Sequence, residues 1–429
     1  MRHEAPIIDD PISLLEHKRR STTSEFSAHV RSLGDVFYSK RGEYWVITRH
    51  AIAREALKNP LLSCDRSSFF ISRMPNMDLG LIPDFFAVVM KMMVMSDGTE
   101  HAARRGLVTK TFTDAIIKQY GAVAEKVVHK LLSELPGDAV FDFVGSIAKR
   151  LPSIVLADLF SIDESDRESF YRWSINMTQF FGGASQYRNA DGIEVNHSAK
   201  SIVTYLQQLV SKRKDRKGQD FLSLLLEENR FSKREETDFI AQAVMMLVAG
   251  QVTTTDQMNN NLYCFLERPG VLADLTQHPE LLASAIEEAN RWDPGVTFLF
   301  RVASEDTSIG EVFIPRGGVV FISNHAVNRD PDQFKNPTEF NIRRSPNPHM
   351  AYGFGSHYCL GAPLARLQML TLFGQLFAKY PNLHFGAERA IVRDHYSLAF
   401  SGFKELSLSG GLPHSLDSRD IQSEISFFG

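Results

Sequence analysis

The order of apolar and polar residues along the chain predicts a mainly helical protein with a smaller β region. Residues 35–49 alternate on either side of a Lys-Arg-Gly turn, which is typical of a β-hairpin, and residues 50–59 then predict a short helix. From residue 100 to about residue 230 the periodicity is mainly helical. Residues 297–325 alternate again, so we expect further strands in that segment.

The longest helical segment lies past the middle of the chain. A capping-box pattern at Ser232 to Glu235 predicts its start, and Arg268-Pro269-Gly270 predicts its end. Such a helix has about 35 residues and a length of roughly 50 Å, so it would cross the whole molecule. Another helix is expected to end at Asp293. A last long helix follows Pro363, and its predicted buried face consists of Leu364, Leu367, Leu370 and Phe373.

Neither an internal repeat nor a flexible linker interrupts this pattern, so we predict one domain over residues 1–409. Residues 1–30 are expected to form a polar lead-in with one or two helical turns. Residues 410–429 are polar and are expected to form a loose tail, although Phe427 and Phe428 could dock elsewhere.

Composition and charge narrow the possible partners. The chain of 429 residues is 43% hydrophobic and 23% charged, with a net charge of −4, so nothing in its overall charge favours nucleic acid or an anionic membrane. Its longest apolar runs are too short to span a bilayer. Three cysteines, Cys64, Cys264 and Cys359, suit a reducing compartment better than a disulfide framework. We therefore expect a cytoplasmic protein that binds neither nucleic acid nor membrane.

One stretch concentrates the candidate chemistry, and it runs from Tyr352 through Cys359 to Gly361 with the sequence Tyr-Gly-Phe-Gly-Ser-His-Tyr-Cys-Leu-Gly. Its three glycines permit a tight turn with positive φ. Because a helix follows, free N–H groups and the positive end of the helix dipole favour the thiolate form of Cys359.

A thiolate in such a turn has several possible uses. It can be a nucleophile, for which His357 is a nearby base, or a redox sensor, or a metal ligand. Zinc would want several Cys or His ligands at paired spacing, and the sequence has no CxxC. A single Cys can instead be the axial ligand of haem iron. On local features alone, an inert buried cysteine is an equally good interpretation.

Other motifs, in their order along the chain, separate these alternatives. Cys359, the long helix and Glu288-Ala-Asn-Arg291 together resemble the cytochrome P-450 haem-thiolate monooxygenases, in particular the soluble bacterial type. The family's loop motif FGxGxHxCxG is matched in register, with Tyr352 in place of the first Phe. Segments similar to the family's HxxxR and RxAxxD patterns begin at His101 and Arg301.

The resemblance implies a mainly α cytochrome P-450 fold with a minor β region, a long central helix over haem b and the cysteine loop beneath it. It implies Cys359 as the axial ligand of the metal, and Glu288 with Arg291 as a structural ion pair. Partners for the two haem carboxylates would be His101, Arg105, Arg301 and His357. The remaining implied cofactor contacts are Ala249, Gly250, Tyr352, Gly353, Phe354, Gly355 and Gly361.

The central helix departs from the family pattern AGx(D/E)TT, because it reads Ala-Gly-Gln-Val-Thr-Thr from Ala249. Thr253 takes the place of the hydroxyl that serves oxygen activation, whereas Val252 replaces the acid. We hypothesise that Gln251, Asp256 or a polar group of the substrate orders the waters that deliver protons. The alternative for Asp256 is a purely structural hydrogen bond.

The missing acid leaves room for atypical chemistry, namely oxidative coupling, desaturation or peroxide-driven oxidation. Since Thr253 is retained, dioxygen is favoured as oxidant, and we predict ordinary insertion of an oxygen atom into a small molecule. A haem sensor or carrier without turnover is the rival class, and it would need neither Thr253 nor an apolar substrate cavity.

By resemblance the substrate pocket is apolar, which suits a mainly hydrophobic or aromatic molecule, and its predicted lining is Phe85, Phe86, Met245, Thr297, Phe298, Leu299 and Phe400. A role in secondary metabolism is expected. The chain carries no fused flavin or iron–sulfur module, so we expect a ferredoxin and a ferredoxin reductase to supply electrons.

Overall fold

The computed structural model describes residues 5–410 except 75–76, 113, 137–138, 184–187, 214–217, 219, 387–390 and 395–396. The predicted C-terminal tail therefore lies outside the described residues from residue 411 onward. The helices are α1 (Leu14–Arg20), α2 (Thr23–Ser32), α3 (His50–Ala56), α4 (Ser67–Ser72), α5 (Pro83–Val89), α6 (Gly98–Thr109), α7 (Asp114–Ser133), α8 (Arg150–Leu159), α9 (Arg167–Gly183), α10 (Asn189–Ser211), α11 (Phe221–Ser232), α12 (Glu236–Leu266), α13 (Val271–Gln277), α14 (Leu282–Trp292), α15 (Asn324–Val327) and α16 (Ala362–Lys379).

The strands form one larger sheet and three small ones. They are β1 (Ile7–Ile8), β2 (Val36–Ser39), β3 (Tyr44–Ile47), β4 (Leu62–Ser63), β5 (Phe141–Asp142), β6 (Phe298–Ala303), β7 (Thr307–Ile309), β8 (Val312–Ile314), β9 (Val319–Ser323), β10 (His384–Phe385), β11 (Val392–Asp394), β12 (Gly402–Glu405) and β13 (Ser407–Ser409). The larger sheet has the order β1-β2-β3-β9-β6-β4. The predicted hairpin is confirmed as β2 and β3, which pair antiparallel.

Helix α12 is the central element, and it contacts α8, α9, α10, α14 and strand β12. Most of its residues are buried on every side, as expected of a helix inside a large core. It is shorter than predicted because Ser232 ends α11, and Lys233 then adopts a left-handed conformation with φ of 54°. The predicted capping box is wrong, since Glu235 is the N-cap and makes no side-chain capping bond.

The N-terminal segment is more ordered than a lead-in with one or two turns. It contains β1 and two helices, and α2 begins with a complete capping box in which Thr22 and Glu25 bond reciprocally. Phe26 and Val30 of α2 lie in the main core with 1% and 0% exposure. The first 30 residues are therefore part of the folded body wherever the structure describes them.

Helix α16 follows the cysteine loop as predicted, with Pro363 in its first turn. Leu364 and Phe373 are buried, and Leu367 packs partly buried against the same core. Leu370 is 36% exposed, so its predicted place on the buried face is wrong. At about 100° per residue, Leu370 lies about 120° around the helix from Leu364, so the two side chains do not share one face.

Candidate functional site

The cysteine loop is a tight turn closed by its own backbone. Cys359 N–H donates to the carbonyl of Tyr352 at 2.8 Å, and Tyr358 N–H donates to that of Gly355 at 3.1 Å. Gly353 and Gly355 have φ of 74° and 75°, a conformation that side chains disfavour. A Cβ on Gly355 would also lie 3.2 Å from the Leu57 carbonyl oxygen. The two glycines are thus required by the shape of the turn.

Cys359 stands before the first turn of α16. The N–H groups of Gly361 and Ala362 point to its sulfur, and they lower the pKa of the thiol together with Arg105. Desolvation acts more strongly in the opposite direction and raises this pKa above its usual value. The residue is accessible to solvent, yet protein atoms surround its sulfur closely. The turn alone therefore does not lower the pKa of the free thiol below its usual value. A cation bound at the sulfur would lower this pKa further and favour the thiolate.

The loop is fastened to two helices through Tyr352, the residue that departs from the family motif. Its hydroxyl accepts a hydrogen bond from Asn290 Nδ2 of α14 at 3.2 Å. The guanidinium of Arg366 from α16 lies over its ring at 4.4 Å and donates two bonds of 2.7 Å to Glu287. Tyrosine can make the bond to Asn290, whereas phenylalanine cannot, which gives the departure a physical reason.

A group of cationic and imidazole side chains converges beside this loop. The rings of His101 and His357 stack with centroids 3.8 Å apart. Burial, followed by the nearby Arg301, lowers the pKa of His357 to about 3. His101 Nε2 is buried, and none of the residues that the structure describes gives it a hydrogen-bond partner. A buried cluster of this kind matches an anionic group with several acceptor oxygens.

Arg105 and Arg301 occupy different positions around the same turn. Arg105 Nη2 donates to the Tyr358 carbonyl at 2.8 Å, so the arginine reaches the cysteine loop, and its role toward a haem carboxylate stays a prediction. Arg301 is 6% exposed and donates to the carbonyl of Phe300 at 2.9 Å. Phe354 lies over the other side of the turn, where the guanidinium of Arg54 stands 4.5 Å from its ring.

Glu288 and Arg291 form a fully buried ion pair, both at 0% exposure. The guanidinium donates to the two carboxylate oxygens at 2.8 and 2.7 Å. Arg344 Nε also donates to Glu288 at 3.0 Å. The predicted pair is therefore present, and it joins α14 to the segment that leads into the cysteine loop.

Helix α12 presents Thr253 on its partly exposed side. The Thr253 hydroxyl donates to the carbonyl of Ala249 at 2.6 Å, and Ala249 itself is exposed. A Cβ on Gly250 would lie 3.0 Å from Leu156 Cδ1 of α8, so its missing side chain leaves room for helix packing. Its place beside the cofactor stays a prediction.

The polar residues near Thr253 point in different directions. Asp256 is 6% exposed, and a Cβ on Gly402 of β12 would overlap its Oδ1, so the carboxylate lies against that strand. Gln251 is 2% exposed and lies about 200° from Thr253 around the helix. Val252, which takes the position of the acid in the family pattern, is half-buried. This arrangement favours the structural alternative for Asp256.

An apolar cavity is formed by the segment that is rich in Phe and Met. Phe85 and Phe86 line it, and its other main wall is Phe180 of α9, which no sequence pattern indicated. Further lining residues are Ser67, Phe70, Met74, Val89, Met90 and Met95. Phe180 stands with its ring centroid 5.0 Å from that of Phe85.

The other predicted pocket residues divide into two groups. Leu299 and Phe400 are half-buried, as a pocket lining would be. Thr297 and Phe298 are 0% and 1% exposed, and Phe298 makes edge contacts with Phe26 and Phe321 inside the core. Met245 is 8% exposed. Thr297 and Phe298 are thus enclosed by protein, and their place in a substrate pocket stays a prediction.

A lysine of the N-terminal helix holds this region together, and the sequence pattern did not reveal it. Lys18 of α1 is 2% exposed, and its ammonium donates to Thr297 Oγ1 at 3.0 Å. It also donates to the carbonyls of Ser397 at 2.9 Å and Phe400 at 2.5 Å. Burial lowers the pKa of Lys18 to about 7, although the negative charge of Asp293 works against that effect.

Comparison with known proteins agrees with this geometry. The family model described as cytochrome P-450 matches residues 33–384, well over half of the chain. The chain belongs to the cytochrome P-450 family. It is therefore an oxidoreductase, a monooxygenase that uses haem, O2 and redox partners to act on a small molecule.

Its relatives within the cytochrome P-450 family include bacterial enzymes. A biotin biosynthesis cytochrome P-450 of Bacillus subtilis is 32% identical over 301 residues, which cover 70% of this chain and 76% of that protein. The 6-deoxyerythronolide B hydroxylase of Saccharopolyspora erythraea is 30% identical, with 84% and 89% covered. The solved structure of P-450BioI, in complex with an acyl carrier protein ligated to hexadec-9Z-enoic acid, has a TM-score of 0.82 and 27% identity, with 92% and 99% covered.

The residues in and beside the cysteine loop fit the haem of a cytochrome P-450. Cys359 would hold the iron, and the buried His101 Nε2 with His357 and Arg301 suits the two carboxylates. In the part of the chain that the structure describes, no helix combines the length and the apolar character that crossing a membrane requires.

Proposed function

We propose that this cytochrome P-450 inserts one oxygen atom of O2 into a mainly apolar or aromatic small molecule in secondary metabolism. The other oxygen atom leaves as water, which takes two electrons and two protons. Haem b is the proposed form of the cofactor, and a ferredoxin with its reductase is the proposed electron source. The haem, when bound, supplies the oxygen activation.

The observation that carries the proposal is the apolar lining formed by Phe85, Phe86 and Phe180. The closed space between these side chains is about 10 Å³, enough for one water molecule, so a substrate enters only when they move apart. Every side chain around it is apolar except that of Ser67, so a substrate there is held mainly by burial of apolar surface. A haem sensor needs no apolar surface for a substrate. It also needs no hydroxyl at Thr253 of α12, so this residue supports turnover with dioxygen.

The route of the protons is the part of the reaction for which this chain lacks the usual acid. Asp256 lies against Gly402, and Gln251 faces away from Thr253. Of the three candidates, a polar group of the substrate is therefore favoured to order water next to Thr253. The Thr253 hydroxyl, which already bonds the Ala249 carbonyl, keeps its lone pairs available to accept from such a water.

Asp256→Asn tests this choice. We expect the variant to lose thermal stability but to keep the wild-type ratio of product formed to reductant consumed. A fall in that ratio with unchanged melting temperature would show that Asp256 serves proton delivery after all. Products of coupling or desaturation in the wild-type reaction would favour the atypical chemistry that the missing acid allows.

The absorption spectrum of the reduced protein under carbon monoxide tests the proposed thiolate centre. We expect the red-shifted Soret band of thiolate ligation in the wild type and its loss in Cys359→His. A band at the position typical of histidine ligation in folded wild-type protein would refute the thiolate centre. Spin-state titration with a set of apolar and aromatic compounds then tests the substrate class, and turnover with a ferredoxin system separates an enzyme from a sensor.

A further inference from the structure

Two imidazoles and one carboxylate form a cluster outside the haem site. His17 belongs to α1, His29 to α2, and Asp10 precedes both helices. His17 Nε2 lies 2.8 Å from Asp10 Oδ2, and His29 Nε2 lies 3.6 Å from the same oxygen. One potential ligand atom from each of the three residues lies within 4.8 Å of the other two. The cluster thus gathers three potential metal ligands from three segments.

The carboxylate is oriented by the backbone. The N–H of Ile12 donates to Asp10 Oδ1 at 3.2 Å, which leaves Oδ2 to face the two imidazoles. Hydrogen bonds of this kind orient the ligands in metal sites. The side chains of Asp10, His17 and His29 are 18%, 22% and 31% exposed, so an ion could enter from solvent.

His29 provides a second, independent observation. Its Nε2 is buried, and no hydrogen-bond partner for it exists among the residues described. Its distance of 3.6 Å from Asp10 Oδ2 exceeds the range of a hydrogen bond. A buried polar atom of this kind needs an explanation, and an ion at this point would supply its missing partner.

We propose that Asp10, His17 and His29 bind one divalent transition-metal ion, with zinc as the best match. Zinc takes His nitrogen and Asp oxygen at about 2.0–2.2 Å in tetrahedral geometry, which separates neighbouring ligand atoms by roughly 3.3–3.5 Å. The 3.6 Å separation is already close to that value, and the 2.8 Å hydrogen bond would open as the ion replaces its proton. Water fills the fourth position.

Binding needs one local adjustment. The rings of His17 and His29 are now stacked, with centroids 4.1 Å apart and planes 28° from parallel. Lone pairs in stacked rings do not meet at one point, so the partly exposed His29 ring rotates about its side-chain bonds when the ion enters. The ion would then connect α1, α2 and the segment before them. His17 is the neighbour of Lys18, so the same link would fix the helix that carries Lys18.

The experiment uses the holoenzyme without an affinity tag, in which haem occupies Cys359. The protein is treated with a chelator, desalted and titrated with zinc chloride in a calorimeter. We expect one zinc ion per chain, and X-ray absorption at the zinc edge should show two imidazole ligands. At 100 times its dissociation constant, zinc should raise the melting temperature by about 3 °C.

Three variants decide the assignment. His29→Gln and His17→Gln should each weaken zinc binding at least tenfold and abolish the zinc-dependent rise in melting temperature. His278→Gln is the matched control, because that imidazole is 51% exposed beside Glu280 in another part of the chain, and its affinity should equal that of the wild type. Wild-type affinity in both His17→Gln and His29→Gln, or fewer than two imidazoles at the zinc edge, would overturn the proposal. The cluster would then be a hydrogen-bonded His–Asp pair under a stacked ring.

Discussion

Replacement of Arg291 by methionine tests the role of the buried ion pair most sharply. All five N–H groups of this guanidinium have partners. Two hydrogen bonds go to Glu288, and the other three go to the carbonyls of Asn328, Pro337 and Glu339 at 2.9, 2.9 and 3.0 Å. Methionine fills a similar volume but donates nothing, so the variant removes every one of these bonds.

The expected loss of stability follows from what remains behind. Glu288 stays fully buried as a carboxylate, and Arg344 with the Asn341 N–H offsets only part of its charge. Removing one partner of a buried pair costs about 3–5 kcal/mol. With an unfolding entropy near 0.9 kcal/mol/K for a chain of this length, the melting temperature should fall by about 3–6 °C. Arg291→Lys keeps the charge but offers three donors instead of five, so its loss should be smaller.

Thermal unfolding of the holoenzyme, followed by calorimetry and by release of haem, measures both variants. Arg20→Met is the control, because Arg20 pairs with Glu16 on the surface and is 63% exposed. An exposed pair of this kind contributes little to stability, so its melting temperature should stay near that of the wild type. If Arg291→Met lowered stability no more than Arg20→Met does, the reasoning about the buried pair would be wrong.

Three further predictions concern the distal side of the molecule. Lys18→Met tests the buried ammonium. Folding lowers the pKa of Lys18 in the wild type from 10.5 to about 7, so between these pH values the unfolded chain binds more protons than the folded protein. The stability of the wild type therefore rises as pH increases from 7 to 10.5. Denaturation at pH 7 and pH 10 should show that this gain, at most roughly 4 kcal/mol over three pH units, shrinks in the variant, and an equal gain in both proteins would contradict it. Gly402→Ala should lower the melting temperature because its Cβ overlaps Asp256 Oδ1, whereas Gly374→Ala in α16, with its nearest neighbour 3.9 Å away, should not. Thr253→Ala should reduce the rate of product formation on the order of 100-fold while reductant oxidation continues, and unchanged product yield per reductant would exclude its proposed role.

The cysteine loop and the ion pair could be predicted because their residues lie close together in sequence. Gly353, Gly355 and Cys359 belong to one turn, whose φ angles demand glycine at the positions where the sequence has it. Glu288 and Arg291 are one helical turn apart, a spacing that allows the contact, and the resemblance to the cytochrome P-450 family singled out this pair among others with the same spacing. The long helix was also predictable, since no proline interrupts residues 232–268 and the breaking signal comes only at Pro269 and Gly270. Local patterns succeeded for these neighbouring partners, although the equally local capping pattern at Ser232 to Glu235 was wrong.

Other parts of the site depend on packing that periodicity does not contain. Alternation predicted a strand that includes Phe298, but only the position of α2 decides that its ring meets Phe26. The sequence around Gly250 does not reveal that this residue also makes room for Leu156 of α8. Phe180 enters the cavity from a helix about 95 positions after Phe85. These contacts are set by how separate elements meet, so a linear pattern carries little information about them.

The contacts of Lys18 bear on the order in which the molecule is assembled. Its partners Thr297 and Phe400 are 279 and 382 positions further along the chain. During synthesis α1 emerges long before Thr297 and Phe400, and the Lys18 ammonium must stay hydrated until these partners have left the ribosome. Contacts between such distant positions form slowly and late, because the intervening chain has to be ordered first. Closure of the substrate side is therefore expected among the final steps of folding, after the cysteine loop and its helices have already formed.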